Sequence, residues 1–119
     1  MVYVLKNKME KLDKTIKYTQ LFNIYKSLLS NAQQEMINDY FFLDLSMSEI
    51  AENRGISKAA VDDAISKGIN KLDELESELK ILEKRQKVQL KLDKLKEKAL
   101  NTQEVEEILE IEKELDYGI

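Results

Sequence analysis

Ser46-Met47-Ser48-Glu49-Ile50-Ala51-Glu52-Asn53-Arg54-Gly55-Ile56-Ser57-Lys58-Ala59-Ala60-Val61 decides how this chain folds. Ser46 followed three residues later by Glu49 is a capping box, in which the hydroxyl accepts from a first-turn amide and the carboxylate reaches back to the cap. It opens a short helix through Arg54 that turns Ile50 and Ala51 to one side. Gly55 then stops that helix, because glycine adopts the left-handed conformation that other residues reach only at a cost. Ser57 caps a second helix carrying Val61, Ile65 and Leu72 on one face. Two capped helices joined by a tight Gly55-Ile56 turn, from 46 to 70, make a helix-turn-helix. On such a motif Arg54, Ser57, Lys58, Lys67 and Asn70 are the candidate DNA-facing residues.

Working outward, apolar side chains at Ile16, Leu21, Phe22, Tyr25, Leu28 and Leu29 predict a first helix over 11–29. Ser30 and Gln33 form another capping box, and the helix it opens is expected to bury Met36, Ile37, Tyr40 and Phe41. Beyond the turn, Val61, Ile65, Gly68, Leu72, Leu75, Leu79 and Leu82 step by four and three residues, a heptad seam that suits either a homodimeric coiled coil or packing on the first helix. In a parallel pair Lys71 would meet Glu76, which attracts, and Glu78 would meet Glu83, which repels. After Leu82 the register slips, predicting a kink within 83–87, and it resumes as Val88, Leu92, Leu95 and Ala99. Asn101 caps a last helix with Val105, Ile108, Leu109 and Leu115 on one face.

The composition agrees with this reading. There is no proline and there are only three glycines among 119 residues, so little interrupts helices, whereas a sheet protein needs many turns. The fold class is all-α, a helix-turn-helix bundle with a long fourth helix and a C-terminal helical extension. Residues 1–83 make the helix-turn-helix domain, and 84–119 the extension, a basic helix followed by an acidic one. Apolar runs of a few residues such as Tyr40 to Leu43 are far short of the roughly 20 a membrane span needs, and Met1 to Lys8 is too short for a signal-peptide core. A cytoplasmic protein with no membrane contact is expected. Without cysteine or histidine, disulfides, thiolate chemistry, imidazole bases and the usual zinc ligands are excluded. The carboxylates lie along helices without a calcium-binding loop, no glycine-rich loop could cradle phosphates, and adjacent Asp62 and Asp63 point apart. No catalytic residue, metal site or cofactor is predicted, and the chain is not read as an enzyme.

Charge is unevenly placed. Residues 30–70 carry three basic and seven acidic side chains, so the helix-turn-helix is acidic. Over 84–98 seven basic residues face two acids, and over 104–116 seven acids face Lys113 alone. Opposite signs predict an ion-paired hairpin, with the acidic helix as an electrostatic cover over the basic one. Lys84, Arg85, Lys87, Lys91 and Lys94 are the candidate RNA- or partner-binding residues, since lysine-rich helices hold phosphates without reading bases.

Leu21-Phe22-Asn23-Ile24-Tyr25, Leu28-Leu29-Ser30, Gln33, Tyr40-Phe41, Asp44, Ser46, Glu49-Ile50-Ala51-Glu52-Asn53, Ile56-Ser57-Lys58, Ala60-Val61, Asp63 and Ile65 together resemble the YlxM family of low-GC bacteria. The resemblance covers about residues 16–82. It implies a helix-turn-helix related to region 4 of sigma factors and a regulatory association with the signal recognition particle pathway, whose protein or RNA is then the expected partner. It also makes residues 1–8 look like an extension before the usual start near Met9. Where the family often carries Arg, Gln and Tyr at the start of the recognition helix, this chain presents Lys58, Ala59, Asp62, Asp63, Ser66 and Lys67. Two carboxylates facing a phosphate-lined groove oppose binding, because duplex affinity comes mostly from phosphate neutralisation. An accessory targeting factor is therefore favoured over a DNA-binding transcriptional regulator, and a scaffold that packs on another protein is the third reading.

Overall fold

The computed structural model describes the backbone of residues 2–117 and the side chains of residues 9–115. Among them are six α-helices and no strand: α1 (Val2–Tyr25), α2 (Asn31–Ile37), α3 (Met47–Arg54), α4 (Lys58–Leu79), α5 (Ile81–Lys98) and α6 (Thr102–Tyr117). They fall into two compact units, Met1–Leu79 and Lys80–Ile119.

In the first unit, α1 starts earlier than its apolar stripe predicts and ends in a 3-10 turn, Lys26–Leu28. That tighter turn closes through the Leu29 amide on the Lys26 carbonyl (3.1 Å) and leaves Leu28 exposed while Leu29 is buried. Both capping boxes form: Ser30 and Ser46 accept from the amides of Gln33 and Glu49, whose side chains return to the cap amides. The helix begun by α2 widens into one π-helical turn, Asn38–Phe42, so Ile37 is buried but Met36, Tyr40 and Phe41 are only half-buried, short of the burial their spacing predicts. Ile50, Ala51, Val61 and Ile65 form one buried cluster, against which Met36, Tyr40, Leu45, Met47 and Ile69 pack. Leu21, Phe22, Tyr25 and Leu72 complete the interior.

The first half of the α4 seam packs within the chain, while Leu75 is half-buried and Leu79 45% exposed. Val61, Ile65, Gly68 and Leu72 are all buried. The Tyr18 hydroxyl donates to Asp73 (3.1 Å) and the Tyr25 hydroxyl to Glu76 (2.7 Å), tying α1 along α4. Burial, then the bond to Asp73 and its charge, raises the Tyr18 phenol above its ordinary value, so it stays a donor. Where α2 crosses α4, a side chain on Gly68 would start 2.5 Å from Ile37 Cδ1. The helix stops at Leu79, short of the predicted kink within 83–87. Lys80 takes the left-handed conformation (φ 54°, ψ 35°), unusual for a residue with a side chain and carrying no glycine to announce it.

In the second unit, α5 and α6 form a helical hairpin around Leu92 and Ile108, with Val105 and Leu115 half-buried beside them. The predicted asparagine cap is present, Asn101 Oδ1 accepting from the Glu104 amide (2.9 Å), and Glu104 accepts in turn from the Leu100 amide (2.6 Å).

Two glycine substitutions test this packing by different physics. Gly55 has φ 64° with open space around it, so Gly55→Ala should cost about 1 kcal/mol through strain alone and Gly55→Asn less. Gly68→Val should cost about 2 kcal/mol or more by forcing α2 from α4. Urea unfolding of both series checks the order; equal losses for Gly55→Ala and Gly55→Asn would contradict the turn.

Candidate nucleic-acid interfaces

The helix-turn-helix is built as its caps dictate. Gly55 is left-handed at the end of α3, the Ile56 amide donates to the Ala51 carbonyl (3.1 Å), and Ser57 Oγ accepts from the Ala60 amide (3.0 Å) to start α4. The outer side of α4 presents Lys58, Asp62, Asp63, Ser66, Lys67 and Asn70, all exposed. Its charges compensate locally: Lys67 pairs with Asp63 (3.0 Å) and Ser66 bonds to Asp62 (3.4 Å).

Arg54 points into the fold's own polar layer. Its Nε donates to Asp39 Oδ2 (2.8 Å) and its Nη1 to Glu35 Oε2 (2.8 Å). Asp39, only 8% exposed in the π-helical turn, is a nearly buried acid that this guanidinium satisfies. The hydrogen bond to Asp39, with the charges of Asp39 and Glu35, raises Arg54 further above its ordinary value against the opposing effect of burial. Of the five candidate DNA-facing residues, Arg54 and Lys67 thus sit in ion pairs, Ser57 is engaged as a cap, and Lys58 and Asn70 lie on the open side of α4.

The hairpin holds a different arrangement. Lys84, Lys87, Lys91, Lys94 and Lys98 are separated by three, four, three and four residues, which sets them on one side of α5 over about 21 Å. All five are exposed. Lys87 has an i,i+4 neighbour in Glu83 (3.7 Å), and the other four meet no carboxylate within salt-bridge distance among the described residues. Arg85 leaves this stripe: it is half-buried on the side of α5 shared with Ile81, Leu92 and Lys96, which faces α6. Lys96 pairs with Glu112, the ion pair that joins the two helices among the described residues. On α6 the exposed acids Glu106, Glu110 and Glu114 lie opposite its buried side.

The expected ion-paired hairpin with an acidic cover is therefore corrected. Among the described residues the two helices close on an apolar seam with a single ion pair, and most of the opposite charges face outward in opposite directions. Lys98, counted among the seven basic residues but not among the candidate binding residues, joins the stripe; the heptad spacing of the lysines was the signal for it. Asp39 as the partner of Arg54 had no comparable signal, because it depends on a π-helical turn. No helix among the described residues is long and apolar enough to cross a membrane.

Capped helix, left-handed glycine and second capped helix on an all-helical bundle define a helix-turn-helix protein. The profile of a family described as "Putative helix-turn-helix protein, YlxM / p13 like" (UPF0122) matches residues 12–112, and the chain belongs to that family. It is similar to a UPF0122 protein of Fusobacterium nucleatum, 40% identical over 72% of this chain and 84% of the relative. It is also similar to the UPF0122 protein YlxM of Bacillus subtilis, 38% identical over 82% of this chain and 88% of the relative. A third relative, a probable UPF0122 protein of Mycoplasma mycoides, is 45% identical over 67% of this chain and 69% of its own.

Removing one side of the Arg54–Asp39 pair leaves a nearly buried carboxylate without its cation. Arg54→Met should destabilise by about 2 kcal/mol, and the double change Arg54→Met with Asp39→Leu should recover much of the loss. Thermal unfolding of the two variants checks this. An unshifted Arg54→Met would free Arg54 for an outside partner.

Proposed function

We propose that this protein is a cytoplasmic accessory or regulatory factor of the signal recognition particle pathway, binding the particle's RNA or protein and catalysing no reaction. The observation that carries the binding part is the lysine stripe of α5, five exposed cations in heptad spacing on one helix side. Lysines so spaced meet successive backbone phosphates as point charges and need no base readout, which favours RNA over protein as the first contact. The pathway itself is supported by the resemblance to the YlxM family. The contrast with the recognition helix supports it further, since α4 offers Lys58 among carboxylates and its neighbour Arg54 is held by Asp39.

The second reading, a DNA-binding transcriptional regulator, is favoured by one observation: both caps and the Gly55 turn of the helix-turn-helix are intact. The two readings separate in one experiment. Full-length protein is titrated against the particle's RNA, the particle's protein and random duplex DNA at several salt concentrations. RNA binding should weaken with salt with a log–log slope of about −3.5 if all five lysines contact single-stranded phosphates. Replacing Lys84, Lys87, Lys91 and Lys94 by glutamate should abolish it with an unchanged melting temperature, whereas Lys58→Glu should leave it intact. Nanomolar duplex binding lost on Lys58→Glu would establish the transcriptional reading instead.

A further inference from the structure

Lys11, Lys14 and Tyr18 follow one another at steps of three and four, which sets them on one side of α1. With Tyr40 and Phe41 they line a cavity of about 450 Å³. Tyr40 and Phe41 also line a second cavity of about 350 Å³, whose other walls include Asp44 and Glu49. The shared rings make these two stretches of one groove, with cations at one end and carboxylates at the other. Its floor is aromatic: Tyr40 meets Phe41 edge-on (centroids 5.1 Å apart, 88° between planes), and Tyr18 tilts against Phe41 (6.1 Å). All three rings are half-buried, so they are fixed by packing and still reachable.

The polar groups around this floor are unused. Among the described residues the side chains of Lys11, Lys14 and Asp44 have no hydrogen-bond or ion-pair partner, although all three are charged. Glu49 is already committed to its capping box through Oε1 on the Ser46 amide. Asp44 is therefore the acceptor that the fold leaves open.

We propose that this groove takes one splayed nucleotide of a single-stranded RNA, its phosphate at Lys11 and Lys14, its base on the Tyr40 and Phe41 rings, and an exocyclic amine of that base at Asp44. The opposite charges of the two ends select this occupant. A duplex backbone laid along the groove would bring phosphates against Asp44 and Glu49, and an acidic peptide would meet the same repulsion. A nucleotide carries its charge at the phosphate and, in cytosine, adenine and guanine, an amine donor on the far edge of the base, which matches the groove's polarity. Unstacked bases of single strands are the ones aromatic side chains hold. Two lysines are few for a free nucleotide, whereas a strand held elsewhere by its other phosphates arrives tethered. The inference rests, with the reading of α5, on RNA as the partner. The two sites differ in what they discriminate, since the lysine stripe of α5 reads no base.

Oligocytidylate and oligouridylate of equal length carry equal charge and differ in the amine, so the full chain should bind the first about fivefold more tightly. Asp44→Gly, which suits the φ of 54° there, should erase that preference. Lys11→Glu with Lys14→Glu should weaken both strands and lower the log–log salt slope by about 1.4. The fluorescence of Tyr40→Trp, the sole tryptophan in the chain, should be quenched by oligocytidylate. The variant with Lys84, Lys87, Lys91 and Lys94 replaced by glutamate should bind more weakly yet keep the preference. Equal affinity of the wild-type chain for the two strands would overturn the groove and leave α5 standing. A preference that survives Asp44→Gly would overturn it too, as would cytidine monophosphate binding as tightly as the strand. A Tyr40→Trp signal moved by the particle's protein but not by oligocytidylate would make the groove a protein site instead. Wild-type affinity in the α5 variant, with the preference still lost on Asp44→Gly, would overturn the α5 reading and support the groove.

Discussion

The crossing of α2 over α4 at Gly68 sets the spacing of the helices around it. Ile37 Cδ1 fills the place where any other residue on α4 would put its Cβ, and Ile37 is itself fully buried. With α4 held this close, the row Val61, Ile65, Gly68 and Leu72 becomes the common wall of the first unit. Ile50 and Ala51 of α3 reach Val61 and Ile65 at one end of the row. Tyr18 and Tyr25 of α1 bond to Asp73 and Glu76 towards the other. The recognition helix is thus the central helix of the bundle, and its outer side is the part left to vary. A methyl group added on its inner side disturbs every partner at once, because close-packed interiors transmit such shifts.

The same economy explains why the helix-turn-helix is poor in usable cations. A π-helical turn after α2 carries Asp39 almost out of solvent, where a carboxylate needs a fixed partner. Arg54, in the last turn of α3 where a cation also suits the helix dipole, supplies it. That residue could otherwise have reached towards a phosphate at the edge of the motif. Lys67 meets Asp63 one turn away in an exposed surface pair, which holds it only weakly. The motif keeps its backbone geometry while Arg54 serves the fold, and the exposed lysines in regular spacing stand on another element, α5.

Local chemistry was the legible part of this fold. Ser30, Ser46, Gly55, Ser57 and Asn101 announced helix ends through side-chain caps and one left-handed glycine, and each is found in that role. The four-three periodicity of α4 named its buried residues but could not say whether they faced another copy or α1 and α2, since both burials need the same pattern. Lys80 was illegible for a physical reason: its left-handed backbone is held without glycine or proline, so composition carries no trace of it. The π-helical turn at Asn38–Phe42 is equally silent, and with it went the pairing of Asp39 with Arg54. Charge counting over 84–98 found the basic helix but not its direction. Spacing alone separates Lys84, Lys87, Lys91, Lys94 and Lys98 from Arg85 and Lys96, which turn inward.

How a protein of net charge −4 can present the exposed lysine surface proposed here to meet phosphates follows from the same geometry. In the hairpin the lysine stripe and Glu106, Glu110 and Glu114 lie on outer sides of two helices that touch through Leu92 and Ile108. Opposite outer sides of two packed helices are about 20 Å apart, two helix diameters. At physiological ionic strength the Debye length is about 8 Å, so a polyanion approaching the lysines is screened from the glutamates behind them. At low salt the screening length grows past the thickness of the hairpin, and the acidic side begins to oppose the same polyanion. Net charge and local field then act in opposite directions, and which one governs an encounter depends on salt as well as on sequence. The half-buried pair between the helices among the described residues, Lys96 with Glu112, adds nothing to either outer surface. The burial of Leu92 against α6 sets the rotation of α5 about its own axis, and that rotation is what turns the lysines outward.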